Sequence, residues 1–182
     1  MKKIFGFVGR GGSGKGTACN YLQEKYGAGY HRFSAILQQL TDRIYLEPSR
    51  DHLIRMSEVI RREFGEDTLA RVIMRDVEND SATIVTVDGI RRLADILYLK
   101  EVSGFVLVHI DAAPETRLAR IQARGEKPDD ATKTLEQFLA DEQRSTEKSI
   151  DEVLAHPHVT VHNNGTREEL FAQLDALIAS KK

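Results

Sequence analysis

Ile4-Phe5-Gly6-Phe7-Val8-Gly9-Arg10-Gly11-Gly12-Ser13-Gly14-Lys15-Gly16-Thr17 is the stretch on which the reading of this chain turns. Residues 4–8 form a short apolar run of the kind that makes a buried strand. Ala18-Cys19-Asn20-Tyr21-Leu22 follows and reads as a helix. A glycine-rich loop between a strand and a helix N-terminus is a phosphate trap. Its backbone N–H groups point inward, the helix dipole adds positive potential, and a lysine can bring a full charge to the outer phosphates. The pattern for such a loop is G-x-x-x-x-G-K-[ST]. Gly9, Gly14 and Lys15 are in register with it; Gly16 stands where Ser or Thr is usual, and Thr17 comes one place later. A flexible turn would explain the glycines but not the lysine between strand and helix. Gly9, Gly11, Gly12, Ser13, Gly14, Lys15, Gly16 and Thr17 are therefore read as phosphate-binding.

Outward from the loop, the chain alternates strands and helices. Apolar runs at Ile4–Val8, Tyr30–Phe33, Ala82–Val87, Phe105–Ile110 and Val159–His162 predict five strands. The third and fourth are β-branched and nearly continuous, as suits strands covered on both faces of a parallel sheet. Between them, Ile36, Leu37, Leu40 and Ile44 share a helical face, as do Leu53, Met56, Ile60 and Phe64, and then Leu69, Val72, Ile73 and Val77. Leu93, Ile96 and Leu97 follow the third strand, and Leu118 and Ile121 the fourth; Leu170, Leu174, Leu177 and Ile178 mark the last helix. Ser34 and Asp51 can open helices, Thr166 with Glu169 has capping-box spacing, and Pro114 sits where a first helical turn tolerates proline. The expectation is an α/β chain with a parallel sheet and helices on both faces. It forms one domain over residues 1–182, with a core of 1–33, 81–123 and 151–182. Residues 34–80 and 124–150 are inserted into that core.

Composition sets bounds on the partners. Net charge is −2 over 182 residues, which argues against a dedicated nucleic-acid binder. A single cysteine, Cys19, rules out an internal disulfide and suits a reducing, cytoplasmic setting; its expected role is packing. No apolar run approaches the ~18 residues of a membrane span. The oligomeric state is left open, with a monomer the simpler expectation.

A second motif is Val85-Thr86-Val87-Asp88-Gly89-Ile90-Arg91-Arg92. A carboxylate at the end of a strand beside the phosphate loop can reach a hard cation such as Mg²⁺, directly or through water. The two arginines can grip an anionic substrate with planar, paired donors. An Asp-Gly turn before a basic helix start is the plainer reading. Arginines in a first helical turn oppose the dipole, however, and that mismatch favours a ligand. A third group, Arg117, Arg120 and Arg124, shares a helix face. Such a cluster suits phosphoryl transfer, where catalysis is positioning and charge neutralisation. Glu115 and Glu126 could instead neutralise it as a solvated face. Arg144 follows on a later helix. The histidines show no metal-ligand spacing.

These motifs together resemble the nucleoside monophosphate kinases of the adenylate kinase type. That family often carries Gly-Lys-Gly-Thr in its phosphate loop, as at Gly14-Lys15-Gly16-Thr17, so the departure from the general pattern is itself a mark of resemblance. Asp88-Gly89-Ile90-Arg91-Arg92 resembles the family's Asp-Gly-Phe-Pro-Arg, and Arg120 with Arg124 matches the spacing of its lid arginines. The resemblance implies a three-layer P-loop kinase fold with strand order 2-3-1-4-5, an acceptor-binding insertion at 34–80 and a short lid at 124–150. It also implies ATP and Mg²⁺: Lys15 and the loop amides on the phosphates, and Thr17 and Asp88 toward the metal. Arg120 would pack on the ATP base, and Arg124 would contact phosphates. The catalytic set would be Lys15, Arg92, Arg120, Arg124 and Arg144. Ser34, Arg43, Asp88 and either Arg91 or Arg92 would face the acceptor.

Lys127-Pro128 stands before Asp129-Asp130 where the family has an arginine, and of the later lid-side arginines only Arg144 is present. The tract around Arg144 looks like that of dephospho-coenzyme A kinases and their archaeal relatives. The acceptor is therefore left open between a nucleoside or deoxynucleoside monophosphate and dephospho-coenzyme A or another small alcohol. A nucleotide-binding regulatory module with little turnover is the reading outside the enzymes.

Overall fold

A computed structural model describes residues 2–47, 49–125, 130–142 and 145–180. The order is β1 (Lys3–Val8), α1 (Lys15–Tyr26), β2 (Gly29–Arg32), α2 (Phe33–Arg43), α3 (Arg50–Phe64), α4 (Thr68–Asn79), β3 (Ile84–Ile90), α5 (Leu93–Ile96), β4 (Phe105–Asp111), α6 (Pro114–Arg124), α7 (Leu135–Glu142), α8 (Ser145–Leu154), β5 (Val159–His162) and α9 (Arg167–Ser180). The five strands pair in parallel in the order β2-β3-β1-β4-β5. No helix among the described residues is long and apolar enough to cross a membrane.

β1 lies at the centre of the sheet, and its alternation explains why its sequence is apolar throughout. Ile4 and Val8 enter a core on one face, with Leu37, Ile73, Val85, Val87, Ile96 and Val153. Phe5 and Phe7 enter a second core on the other face, with Leu22, Val108, Ile110, Val161 and Leu174. A strand covered on both faces has no polar side to show. Phe5 and Phe7 are fully buried; each such ring contributes about 2–3 kcal/mol relative to exposure.

The helix signals hold with local corrections. The N-cap of α2 is Arg32, which puts Ser34 inside its first turn. Phe33 opens that helix and does not belong to β2. α3 is capped by Ser49, whose hydroxyl accepts from the His52 N–H at 3.1 Å, so Asp51 sits in the first turn and not at the cap. Pro114 begins α6 as expected. Thr166 and Glu169 bond reciprocally, side chain to backbone, ahead of α9.

The main correction concerns β3. The strand does not end at an Asp-Gly turn but runs on to Ile90. Phe7 pairs with Asp88 and Val8 with Ile90, so Gly89 is an extra residue in a bulge, at φ 89°. A bulge re-aims the chain at a sheet end. Here it carries Arg91 and Arg92 across the carboxyl end of β1, where the phosphate loop begins.

Candidate functional site

The loop between β1 and α1 opens into a cavity of about 970 Å³ at the carboxyl ends of the strands, where ligands bind in open α/β sheets. Gly11, Gly12, Gly14, Lys15, Gly16 and Thr17 line it. Two glycines are fixed by their surroundings. Gly12 (φ 77°) passes so close to α6 that a Cβ would meet the Arg117 carbonyl oxygen at 2.7 Å. Gly14 (φ 101°) would put a Cβ 2.2 Å from Asn163 Nδ2. Gly16 is different: a Cβ there would lie 3.7 Å from the Tyr30 hydroxyl, an ordinary contact. Lys15 Nζ donates to the carbonyls of Gly9 (2.6 Å) and Arg10 (3.1 Å), folding the loop around its own cation. Gly9 is not among the lining residues and meets Lys15 through that carbonyl.

Ser13 departs from the expectation. It is 1 % exposed, and its Oγ has no hydrogen-bond partner among the described residues. It lines a second, smaller cavity with His109 and Asp111 and does not line the phosphate cavity. On the side of the larger cavity the loop presents glycines, Lys15 and Thr17.

One wall of the cavity comes from the bulge. Asp88 Oδ2 accepts from the Tyr30 hydroxyl at 3.1 Å, whereas its Oδ1 is buried with no partner among the described residues. Burial and the neighbouring Asp88 carboxylate push the Tyr30 phenol up, so it stays a donor. Cys19, behind the loop, is fully buried; burial first, then Asp88, raise its thiol well above the ordinary range, as an inert packing group requires.

Arg91 and Arg92 both line the cavity. The mismatch they posed to a helix start is resolved by a residue the sequence did not single out. Asp95 Oδ2 accepts the backbone N–H of Arg91 (2.9 Å) and of Arg92 (3.0 Å). Asp95 Oδ1 receives Arg61 Nη2 of α3 at 2.8 Å. Arg61 and Asp95 are 6 % and 2 % exposed, and Arg61 also donates to the Glu66 carbonyl at 2.6 Å. The Arg92 guanidinium reaches Glu66 Oε2 at 3.4 Å. Ser34, Phe33, Leu37, Leu53 and Ile54 give this half a partly apolar lining. Arg43 does not join it: exposed in the last turn of α2, it lies outside the cavity lining.

The opposite wall is α6 and the β5–α9 loop. Arg120 and Arg124 line the cavity. Arg117 turns inward, 4 % exposed, and its guanidinium is held by both carboxylate oxygens of Glu142 in α7. Arg10 of the loop approaches the same carboxylate at 3.9 Å and bonds Asp151 at 3.0 Å. Glu142 thus meets the charge of Arg117, and Glu126 lies outside the described residues. Arg120 Nη2 donates to Asn163 Oδ1 at 3.3 Å; its Nη1 is buried with no partner among the described residues. Burial lowers the Arg120 pKa. Arg144, with Lys127, Pro128 and Asp129, lies outside the described residues.

A parallel sheet of order 2-3-1-4-5 with a glycine-lysine loop after its central strand defines a P-loop protein of the kinase-like class. Residues 8–138 match the model of the AAA domain family. A UPF0200 protein of Methanothrix thermoacetophila is 32% identical over 180 residues, covering 97% of this chain and 96% of its own. One from Hyperthermus butylicus is 28% identical over 172 residues, covering 94% and 91%. The chain belongs to the AAA domain family and to the UPF0200 proteins. Among solved structures, shikimate kinase from Acinetobacter baumannii in complex with shikimate superposes with a TM-score of 0.60 at 19% identity, covering 100% of this chain and 96% of that one. TT1252 from Thermus thermophilus does so at 0.58 and 20% identity, covering 98% and 97%. At these identities the likeness speaks for the fold.

Proposed function

We propose that the protein is an ATP-dependent kinase whose acceptor already carries an ionised phosphate, a nucleoside or deoxynucleoside monophosphate. The observation that carries this reading is the placing of Arg91 and Arg92 on one wall, and Arg120 and Arg124 on the other, of one cavity with the phosphate loop between them. Two anionic substrates meeting end to end need cations on both sides, and phosphoryl transfer asks the protein for little else. The partly apolar half beside Arg91 and Arg92 suits an acceptor with a flat body behind its phosphate. Residues 34–80 would hold that acceptor, and residues 124–150, with Arg144, would close over the transferring group.

In this reading the ATP phosphates take the place of the Gly9 and Arg10 carbonyls on Lys15. Arg91 or Arg92 seats the acceptor, with Arg92 leaving Glu66. Thr17 and the unpartnered Asp88 Oδ1 are oxygen donors of the kind a hard divalent cation requires, so they would hold Mg²⁺. When bound, that cation would neutralise charge on the phosphates. An ionised acceptor has no proton to remove, so no general base is required.

A second reading is favoured by one feature of the same carboxylate. Asp88 Oδ1 could instead accept a proton from a hydroxyl acceptor, such as dephospho-coenzyme A or a small alcohol. An ADP-release assay with nucleoside monophosphates, dephospho-coenzyme A and shikimate as acceptors decides between them. The expected result is ADP formation stimulated by a monophosphate. Stimulation by hydroxyl acceptors alone establishes the second reading, and no stimulation by any acceptor overturns both.

A further inference from the structure

Asn163 lies immediately after β5, 150 positions beyond Ser13, and nothing in its sequence surroundings marks it. It is 5 % exposed between exposed neighbours, His162 and Asn164. Its side chain bridges two walls of the site. Nδ2 donates to the Ser13 carbonyl at 2.7 Å, and Oδ1 accepts from Arg120 Nη2 at 3.3 Å. Its backbone N–H donates to the Asp111 carbonyl at 2.7 Å, which anchors the residue to the end of β4. The two partners fix the amide's orientation, because a carbonyl demands a donor and a guanidinium demands an acceptor. They also select the residue type. Asp would offer an oxygen to the Ser13 carbonyl, Lys would offer a cation to Arg120, and neither serves both. On the loop side, the left-handed Gly14 leaves room for this amide and for nothing larger than a hydrogen atom.

We propose that Asn163 is a positioning residue that holds the phosphate loop and Arg120 in one fixed relation. A nucleotide entering the loop then finds Arg120, which lines the same cavity, already in place. This rests on the reading that the loop binds a nucleotide, but not on the identity of the acceptor. It predicts that Asn163 and Arg120 act on ATP as one unit. Groups that act through a shared contact show non-additive losses, whereas independent ones multiply.

The test is ATP affinity by titration calorimetry for Asn163→Ala, Asn163→Asp, Arg120→Ala and the double variant Asn163→Ala with Arg120→Ala, with Lys15→Ala as control. Unfolding of each nucleotide-free protein is followed in parallel. Asn163→Ala and Arg120→Ala are each expected to weaken ATP binding about tenfold, the scale of one hydrogen bond to a charged group. The double variant is expected to stay within about twofold of the weaker single. Asn163→Asp keeps the volume, so it carries the test if the alanine variant does not fold; it is expected to lose a similar factor because its oxygen faces the Ser13 carbonyl. Wild-type affinity in the folded Asn163 variants overturns the proposal, and so does a double variant whose losses multiply. Wild-type ATP affinity in Lys15→Ala would remove the nucleotide reading itself, and this inference with it.

Discussion

At the scale of single residues, the phosphate loop separates glycines that are required from one that is optional. Gly14→Ala places a side chain in a left-handed conformation, at about 1–2 kcal/mol, and drives it against Asn163. Its expected outcome is a clear loss of stability by denaturant unfolding together with loss of ATP binding. Gly16→Ser meets only an ordinary contact with Tyr30. In a first helical turn it should leave stability unchanged or raise it by about 0.5 kcal/mol; a loss above 1 kcal/mol in the same experiment would contradict the geometry. Lys15→Ala removes the cation around which the loop closes, and ATP turnover is expected to fall by a factor of about 10² or more. This level of the molecule was largely legible in the sequence, because a phosphate loop draws its strand, amides and lysine from one contiguous run. Ser13 was not: which way a buried hydroxyl points depends on the cavity behind it, built from β4 and α6. Asn163, Asp95 and Glu142 were hidden for a related reason. Each has a charged or polar partner in a distant segment, and a lone Asn, Asp or Glu in sequence carries no sign of it.

At the scale of elements, the buried pair Arg61–Asp95 ties α3 to the start of α5 and, through two backbone amides, to Arg91 and Arg92. Removing one member of such a pair leaves an uncompensated buried charge. Arg61→Ala should therefore cost about 3–5 kcal/mol, measured by denaturant unfolding, and should disturb acceptor binding with it. A loss under 1 kcal/mol would mean that the pair does not hold the two elements together. A second link joins α1 to α9. Asp175 accepts from the hydroxyls of Tyr21 and Tyr26, both at 2.7 Å, and from Lys25 at 2.7 Å. The Lys25 bond, followed by those of Tyr26 and Tyr21, pulls its carboxyl down from 3.8 to about 2. A carboxylate with a depressed folded pKa adds stability above its unfolded pKa, and loses it as pH falls through the folded value. Between about pH 4 and pH 2 the wild type should lose stability more steeply than Asp175→Asn; parallel acid-unfolding curves would contradict this. The strands and most helices followed from periodicity, and the covering of β3 and β4 on both faces from their nearly unbroken apolar runs; the strand order came from the family resemblance. The extension of β3 past Asp88 did not, because Asp-Gly is a common turn and only the register with β1 makes it a bulge.

At the scale of the whole molecule, the site is an assembly of segments that the sheet brings to one edge. Residues 9–17 supply the loop, 88–95 one wall, 120–124 and 163–167 the other, and α2 and α3 the floor beside Arg91 and Arg92. A ligand spanning these parts stabilises the folded chain by mass action. ATP at about a hundred times its dissociation constant should add ~2.7 kcal/mol and raise the unfolding midpoint by roughly 5–10 °C. The shift should vanish in Lys15→Ala, and its survival there would place ATP elsewhere. The class of fold could be read from the alternation of strands and helices. The acceptor could not, because the residues proposed to choose it are spread over helices with no motif of their own. The dependence of Ser13 on Asn163 also orders events in time. A nascent chain exposes its phosphate loop early, but the amide that braces it is synthesised 150 residues later. At translation speeds of about 5–20 residues per second, that is an interval of roughly 8–30 s. Throughout it the loop is covalently whole yet unbraced, so on the proposed reading the growing chain would hold ATP about tenfold more weakly than the finished one. On that reading a nucleotide would reward folding most once β5 has docked, favouring finished molecules over partly made ones.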